Sequence, residues 1–302
     1  MTKPLGSFPG GLVLDGQKKR STYDAIRKTP LSKKLILPLQ QHIGEASTPI
    51  VEVGDKVLKG QKIARAEGHV SVYLHAPSSG TITAIDEQPI PHPSGLSAQC
   101  ISLETDGEER WIDLQEAADF TELSEHDIRQ KIREAGIVGL GGAGFPSFIK
   151  LNPGVHHHVE TLIINGVECE PYITCDDMIM RERAEGILDG IEIMRYALRV
   201  KSCVIVIEDN KPEAISAMEL ALKRRQAKFQ NTTIVVIPTR YPTGSEKQLI
   251  QVVTGKQVPS HGLPIDIGIV CHNVGTSYAI GRAIIHGEPL ISRIVTVTGT
   301  DV

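Results

Sequence analysis

The sequence predicts an α/β protein built on a mostly parallel sheet with helices on both faces, preceded by a small all-β domain. Two changes of pattern carry this expectation. Residues 35–103 hold short β-type runs separated by turn signals, and from about residue 124 near-continuous apolar strands alternate with amphipathic helices. Parallel strands covered by helices on each side read as unbroken apolar runs. At 302 residues the chain is long enough for two domains with sizeable cores.

Composition excludes several functions. A net charge of −4 gives no electrostatic reason to expect nucleic acid or a polybasic membrane contact. No apolar run approaches the roughly 20 residues that span a bilayer, and the first residues show no signal-peptide core. The expectation is a soluble, cytosolic chain. The five cysteines, Cys100, Cys169, Cys175, Cys203 and Cys271, are odd in number and never form C-x-x-C. That spacing argues against a disulfide framework, a zinc knuckle and a self-contained iron–sulfur site, so no metal site is expected.

Taken in order, residues 1–30 read as an N-terminal extension of loops, interrupted by Pro4, Pro9-Gly10-Gly11 and Gly16, with Lys18-Lys19-Arg20 as a solvated patch. The all-β domain is expected over 31–112. Its strands are Leu35-Ile36-Leu37, Ile50-Val51-Glu52-Val53, residues 70–74, residues 81–85 and Cys100-Ile101-Ser102-Leu103. The α/β domain is expected over 113–290. Residues 124–135 form an amphipathic helix with Ile128 and Ile132 on one face and Ser124/Asp127 near its cap. Strands follow at 161–164, 203–207, 234–237 and 267–270. Between and after them come helices at 176–198, from Asn210-Lys211-Pro212 to about Phe229, at 245–253 and at 275–286. Asp176-Asp177 reads first as a helix cap.

Ligands of such sheets sit outside the carboxyl ends of the strands, which singles out three loops. In Asn165-Gly166-Val167-Glu168-Cys169-Glu170, two carboxylates and an amide suit the hydroxyls and ring edge of a ligand, or make a polar turn. Asn273-Val274-Gly275-Thr276 places an amide and a hydroxyl where a helix opens, suited to an anion or a polar ring. Tyr241-Pro242-Thr243-Gly244-Ser245-Glu246 could meet a second ligand, or Ser245 simply caps. His156-His157-His158 looks metal-like, but three successive side chains diverge. Cys169 and Cys175 read as small buried hydrophobes.

The run Gly139-Leu140-Gly141-Gly142-Ala143-Gly144-Phe145-Pro146, with Lys150 beyond it, is the most informative motif. Glycines there let the backbone take positive φ and turn several N–H groups toward one anion, and the lysine adds a point charge. The run satisfies G-x-G-x-x-G, yet a helix precedes it and Pro146 and Pro153 allow only a short helix after it. That context rejects a Rossmann fingerprint. A phosphate cradle of another kind and a plain chain-turning loop both remain open.

Two resemblances add to this reading. Val53-Gly54-Asp55-Lys56-Val57-Leu58-Lys59-Gly60-Gln61 and Ala76-Pro77-Ser78-Ser79-Gly80-Thr81-Ile82 are similar to the two turns of the biotinyl/lipoyl-like barrel-sandwich family. Carrier members acylate a lysine on the hairpin between those turns. Residues 67–75 hold none, which implies a docking or structural module. The whole chain resembles the RnfC family, soluble flavin-bearing subunits of the Rnf electron-transport complex, and through it the flavin subunit of respiratory complex I. The phrases that carry the likeness are Pro38-Leu39-Gln40-Gln41-His42-Ile43-Gly44, the glycine run, Ile164-Asn165-Gly166-Val167-Glu168-Cys169-Glu170-Pro171-Tyr172, Tyr241-Pro242-Thr243-Gly244-Ser245-Glu246 and Asn273-Val274-Gly275-Thr276.

The resemblance implies that FMN is bound by Gly139, Gly141, Gly142, Gly144, Lys150, Asn165, Glu168, Asn273 and Thr276, and that NADH meets Phe145, Glu170 and Glu246. Leu140 and Val167 stand where complex I has an arginine and an aspartate. It further implies an NADH-oxidising part of an ion-translocating NADH:ferredoxin oxidoreductase, on the inner face of the cell membrane. Membrane-embedded subunits, an iron–sulfur subunit and, through the complex, ferredoxin would be its partners. The alternative is a non-catalytic scaffold or quinone-site subunit resembling NqrA of the sodium-pumping NADH:quinone oxidoreductase. Residues 291–302, with Val295-Thr296-Val297-Thr298-Gly299, match the start of the family's β-grasp domain. The chain is therefore expected to be truncated before the family's ferredoxin-like segment, which carries the [4Fe–4S] clusters.

Because residues 67–75 lack a lysine, protein made in cells with active biotin and lipoate ligases should show the intact mass of its sequence. A cofactor-sized adduct mapping to residues 35–105 would overturn that reading.

Overall fold

The computed structural model describes residues 5–92, 94–116, 119–154 and 157–299. Within them the chain forms two compact units, each described by itself. A sheet unit comprises Met1–Arg27, Lys150–Gly281 and Ile294–Val302, and a barrel unit comprises Lys28–Ile149 and Arg282–Arg293. Residues 113–149, which hold the first helix and the glycine run, thus cluster with the barrel strands, while the first residues cluster with the α/β sheet.

In the barrel unit, strands β1 (Lys34–Pro38), β2 (Thr48–Pro49), β3 (Lys56–Val57), β4 (Lys62–Arg65), β5 (Leu74–His75), β6 (Gly80–Pro89) and β7 (Ser97–Thr105) make two sheets, ordered β1-β7-β6-β3 and β2-β4-β5. All their pairings are antiparallel. Alternate side chains, among them Val57, Ile63, Leu74, Ile82, Ile101 and Leu103, meet in one buried core. Two expected strands are shorter or absent. Residues 50–53 and 70–73 carry β-type residues but run as irregular chain outside the ladders, held by isolated hydrogen bonds such as that from Ile50 N–H to the Ile63 carbonyl at 2.9 Å. β-Propensity there serves burial of Val51 and Val72 without a ladder.

Helix α1 (Glu125–Glu134) starts on a capping box: Ser124 Oγ accepts from Asp127 N–H, and the Asp127 carboxylate accepts from Ser124 N–H. Ile128 and Ile132 are its buried face. The glycine run leads into a single turn, α2 (Ser147–Lys150).

The sheet unit carries β8 (Thr161–Gly166), α3 (Cys175–Leu198), β9 (Ser202–Glu208), α4 (Pro212–Arg224), β10 (Thr232–Ile237), α5 (Glu246–Thr254), β11 (Ile269–Asn273) and α6 (Val274–His286). The strands are ordered β10-β9-β8-β11, and every pairing is parallel. Ile163, Val206, Ile237, Ile269 and Cys271 pack on one face with Leu249, Ile250 and Val252 of α5. The alternate residues face α3, where Gly166 lies so near Met180 that an added Cβ would stand 2.7 Å from its sulfur. Helices therefore cover both faces, as the unbroken apolar strands predict. Helix α4 ends at Arg224, short of the expected Phe229.

Helices α3 and α6 touch backbone to backbone. A Cβ on Gly190 would sit 1.7 Å from the Ser277 carbonyl oxygen, while Ser277 Oγ donates to the Ile187 carbonyl at 3.0 Å. Gly190→Ala should therefore force the helices apart and destabilise the chain by about 1–3 kcal/mol, the scale of an overpacked core. Urea denaturation measures this, and an unchanged midpoint would refute the contact.

Candidate functional site

Strand order places the first strand of the sheet, β8, between the second, β9, and the fourth, β11. The order reverses between β8 and β11, the position at which open α/β sheets bind ligands outside their carboxyl ends. The structure brings two of the expected residues together there, since Asn165 and Asn273 are register partners on adjacent strands. The Asn165 amide donates to the Gly244 carbonyl at 2.8 Å and accepts from Val167 N–H at 3.1 Å. Asn273 accepts from the N–H groups of Gly275 and Thr276, opening α6, and donates to the Asp176 carboxylate at 2.6 Å. Thr276 is buried beside it. The Asn165 amide thus ties its loop to the Tyr241–Glu246 loop, and the Asn273 amide ties the third loop to the start of α3.

Glu168 takes the role that the sequence assigned to the Asp176-Asp177 pair. The N-cap position of α3 is Thr174, which makes no side-chain cap. The Glu168 carboxylate instead accepts from Asp176 N–H at 2.7 Å and Asp177 N–H at 3.3 Å. Asp177 pairs with Arg181 one turn on, at 2.7 Å. Burial pushes the Glu168 carboxyl up from its ordinary value, against the pull of Lys18.

Two lysines organise the loop that carries Glu168. Lys18, expected in a solvated patch, has a side chain only 10% exposed. Its ammonium donates to the carbonyls of Glu168, Glu170 and Ile173 at 2.7, 2.8 and 2.6 Å and stands 3.8 Å from the Glu168 carboxylate. Lys211 is wholly buried; its ammonium donates to the Val167 carbonyl at 2.7 Å and to Asn210 Oδ1 at 2.9 Å, with Glu208 at 3.4 Å. Burial pushes the Glu208 carboxyl up and the Lys18 ammonium down. Asn210 caps no helix, because it serves this lysine and Glu208. Sequence reasoning missed Lys18, Glu208 and Lys211. The carboxyl-end rule, applied to β9 as to its neighbours, would have found the last two. Nothing local marks Lys18.

Lys150 donates to the Glu246 carboxylate at 2.5 Å and to the Cys271 carbonyl at 3.1 Å, joining two residues the sequence assigned to different ligands. One of its three donors remains beyond these bonds. Glu170 is exposed. Ser245 stands at the N-cap of α5 without a side-chain bond. Cys169 is buried and its sulfur accepts from Gly244 N–H at 3.3 Å, whereas Cys175 is half-buried. His272, at the end of β11, is buried with no partner for Nε2 among the described residues, and burial lowers its pKa to about 3.

In the barrel unit the glycine run is a hairpin. Gly139 N–H donates to the Phe145 carbonyl at 2.8 Å, Val138 bridges Pro146, and Ile43 N–H holds the Gly144 carbonyl at 3.1 Å. Gly141, Gly142 and Ala143 are exposed at its tip, and Phe145 is half-buried. Gly142 has φ +116, with open space where a Cβ would stand. Among the described residues the N–H groups of 141–143 find no protein acceptor. His156 of the histidine triplet lies outside the described residues. His157 meets Pro153 and Asp266, and no group of potential metal ligands occurs among the described residues. No helix among them is long and apolar enough to cross a membrane.

Comparison with known proteins identifies two family models and a set of relatives. The family model of the Nuo51 FMN-binding domain matches residues 132–282, and that of the RnfC barrel-sandwich hybrid domain matches residues 6–108. The RnfC subunit of the ion-translocating oxidoreductase complex of Pseudomonas aeruginosa is 51% identical over 295 residues, covering 98% of this chain and 38% of the relative. Its counterpart in Vibrio cholerae is 48% identical, covering 98% and 37%, and that of Haemophilus influenzae 47%, covering 99% and 44%. The chain thus spans less than half the length of these relatives.

Asp176 gives the site a pH signature. Desolvation first, and the charge of Glu168 second, push its carboxyl from 3.8 up to about 8. The folded chain then binds a proton that the unfolded chain releases, so this group's contribution is full below about pH 4 and is lost as pH rises through about 8. Asp176→Asn, which keeps an acceptor for Asn273, should gain stability over the native chain progressively across that range. Melting temperatures of the two proteins that stay a constant distance apart would refute this.

Proposed function

The chain belongs to the RnfC family, and from that premise we propose that it is the FMN-binding, NADH-oxidising portion of a peripheral subunit of an ion-translocating oxidoreductase complex. The observation that carries the reading is the tip of the glycine run. Unpaired N–H groups at Gly141, Gly142 and Ala143, with free space beside a positive-φ glycine, have the chemistry a phosphate needs. The run and the strand-end residues both fall within the span matched by the FMN-binding family model.

Bound FMN would supply the two-electron acceptance and one-electron release that a nicotinamide-to-iron–sulfur relay requires. The protein's part is to bind and orient. We assign the N–H groups of 141–143 to the phosphate, the Gly139 N–H being held by the Phe145 carbonyl, with the remaining donor of Lys150 as a further contact. Asn165 and Asn273 each keep a second amide hydrogen beyond the bonds they make, and with Thr276 these would meet the rest of the cofactor. Glu168 acts mainly by capping α3, which supports the loop beside them. Phe145, Glu170 and Glu246 are assigned to NADH, Glu246 exchanging its bond to Lys150 for one to the nucleotide. Attachment to the inner face of the membrane, partner subunits and passage of electrons toward ferredoxin belong to the same proposal.

FMN titrated into the protein by fluorescence quenching should bind. Lys150→Ala should weaken it about ten- to a hundredfold, the scale of one charge-assisted hydrogen bond of roughly 1.5–3 kcal/mol. Gly142→Val should do worse, because a β-branched residue disfavours positive φ. Anaerobic NADH should then bleach the flavin absorbance. Equal affinity in all three proteins would refute the loop assignment, and bound flavin that NADH never bleaches would favour the scaffold reading.

A further inference from the structure

We propose that Lys18 is a positioning residue of the strand-end site: its ammonium is the cation around which the 167–173 loop is folded, so that the N-terminal segment sets where Glu168 and Glu170 stand. The carbonyls of Val167, Glu168, Glu170 and Ile173 all accept from two ammonium groups, that of Glu168 from both, as they would from a bound monovalent cation. Lys18 supplies three of these bonds, which exhausts its donors. The backbone it holds is not one the chain adopts unaided. Glu168 and Tyr172 are non-glycine residues at φ 45 and 70, a conformation that persists only where surroundings enforce it.

The segment that delivers the lysine is itself fixed to the same unit. Tyr172 N–H donates to the Gly16 carbonyl at 2.8 Å, and the hydroxyls of Ser21 and Thr174 lie 2.9 Å apart. Upstream, Leu12 pairs through both backbone bonds with Tyr241, and Gly6 N–H reaches the Val252 carbonyl at 2.7 Å. The segment thus runs past the β10–α5 loop and the β8–α3 loop, and the Lys18 ammonium enters the second of them. Lys211 does the complementary task from the sheet side, but its complete burial makes its removal a test of folding rather than of positioning.

The consequence for ligand binding rests on the FMN reading above, so the test uses a readout that needs no flavin. Hydrogen exchange of the ligand-free protein should show faster exchange by about tenfold or more in Lys18→Ala, the scale of one lost charge-assisted hydrogen bond, confined to residues 167–177. Ammonium chloride, compared with sodium chloride at equal ionic strength, should restore protection by placing a cation among the same carbonyls. Lys18→Arg should fall between the two proteins. FMN affinity should drop and recover in parallel. Unchanged exchange at 167–177, a loss spread evenly over the sheet with no ammonium rescue, or native FMN affinity in Lys18→Ala would each overturn the proposal. A localised, ammonium-reversible change in a protein that binds no FMN would uphold the role of Lys18 and remove the flavin reading instead.

Discussion

In the strand-end loop of residues 167–173, the carbonyls of Val167, Glu168, Glu170 and Ile173 have no backbone partner among the described residues. Two ammonium groups, Lys18 and Lys211, satisfy these carbonyls. Much of the sheet unit depends on that solution. It fixes Glu168, which caps α3, and it holds the turn between β8 and its helix in place. Buried cations are expensive to desolvate, and here the expense is offset by several hydrogen bonds each and by the carboxylates of Glu168 and Glu208.

Around this centre the carboxyl end of the sheet gathers several buried or half-buried ionisable groups. Glu168, Glu208 and Asp176 all have carboxyls raised by burial, and His272, at the end of β11, is kept neutral. Such clustering is a feature of functional sites, where tuned charge is worth more than local stability. The amides of Asn165 and Asn273 connect this charge network to the reversal point of the strand order. One end of the sheet therefore concentrates the polar chemistry, while its two faces are closed by helices and apolar side chains.

The barrel unit contributes a different kind of element. Its core is apolar and ordinary, and its turns resemble those of cofactor carriers without the lysine that carriers modify. Its distinctive feature is the glycine hairpin at 139–144, whose base is fastened by three backbone contacts and whose tip is left with unpaired donors. An anchored base under an exposed tip with unpaired donors suits the phosphate role proposed for the run.

The sequence by itself determined the class of fold, because periodicity of two and of 3.6 is written into which residues are apolar. It also determined Ser124 and Asp127 as the cap of α1, the three loops at Asn165, Tyr241 and Asn273, and a glycine-rich loop at 139–144, since these depend on residues close together in the chain. Tertiary structure alone decided how those groups are used. Asp176 and Asp177 read as caps, yet the cap is Glu168, eight residues from the first N–H it holds. Lys150 and Glu246 read as ligands of two different molecules, yet they meet each other across 96 positions of sequence. Lys18 read as solvent-facing, and nothing near it says otherwise, because its three acceptors lie at least 150 residues away. A side chain's local pattern records whether it prefers water; its partners are fixed only when the sheet brings distant loops to one edge.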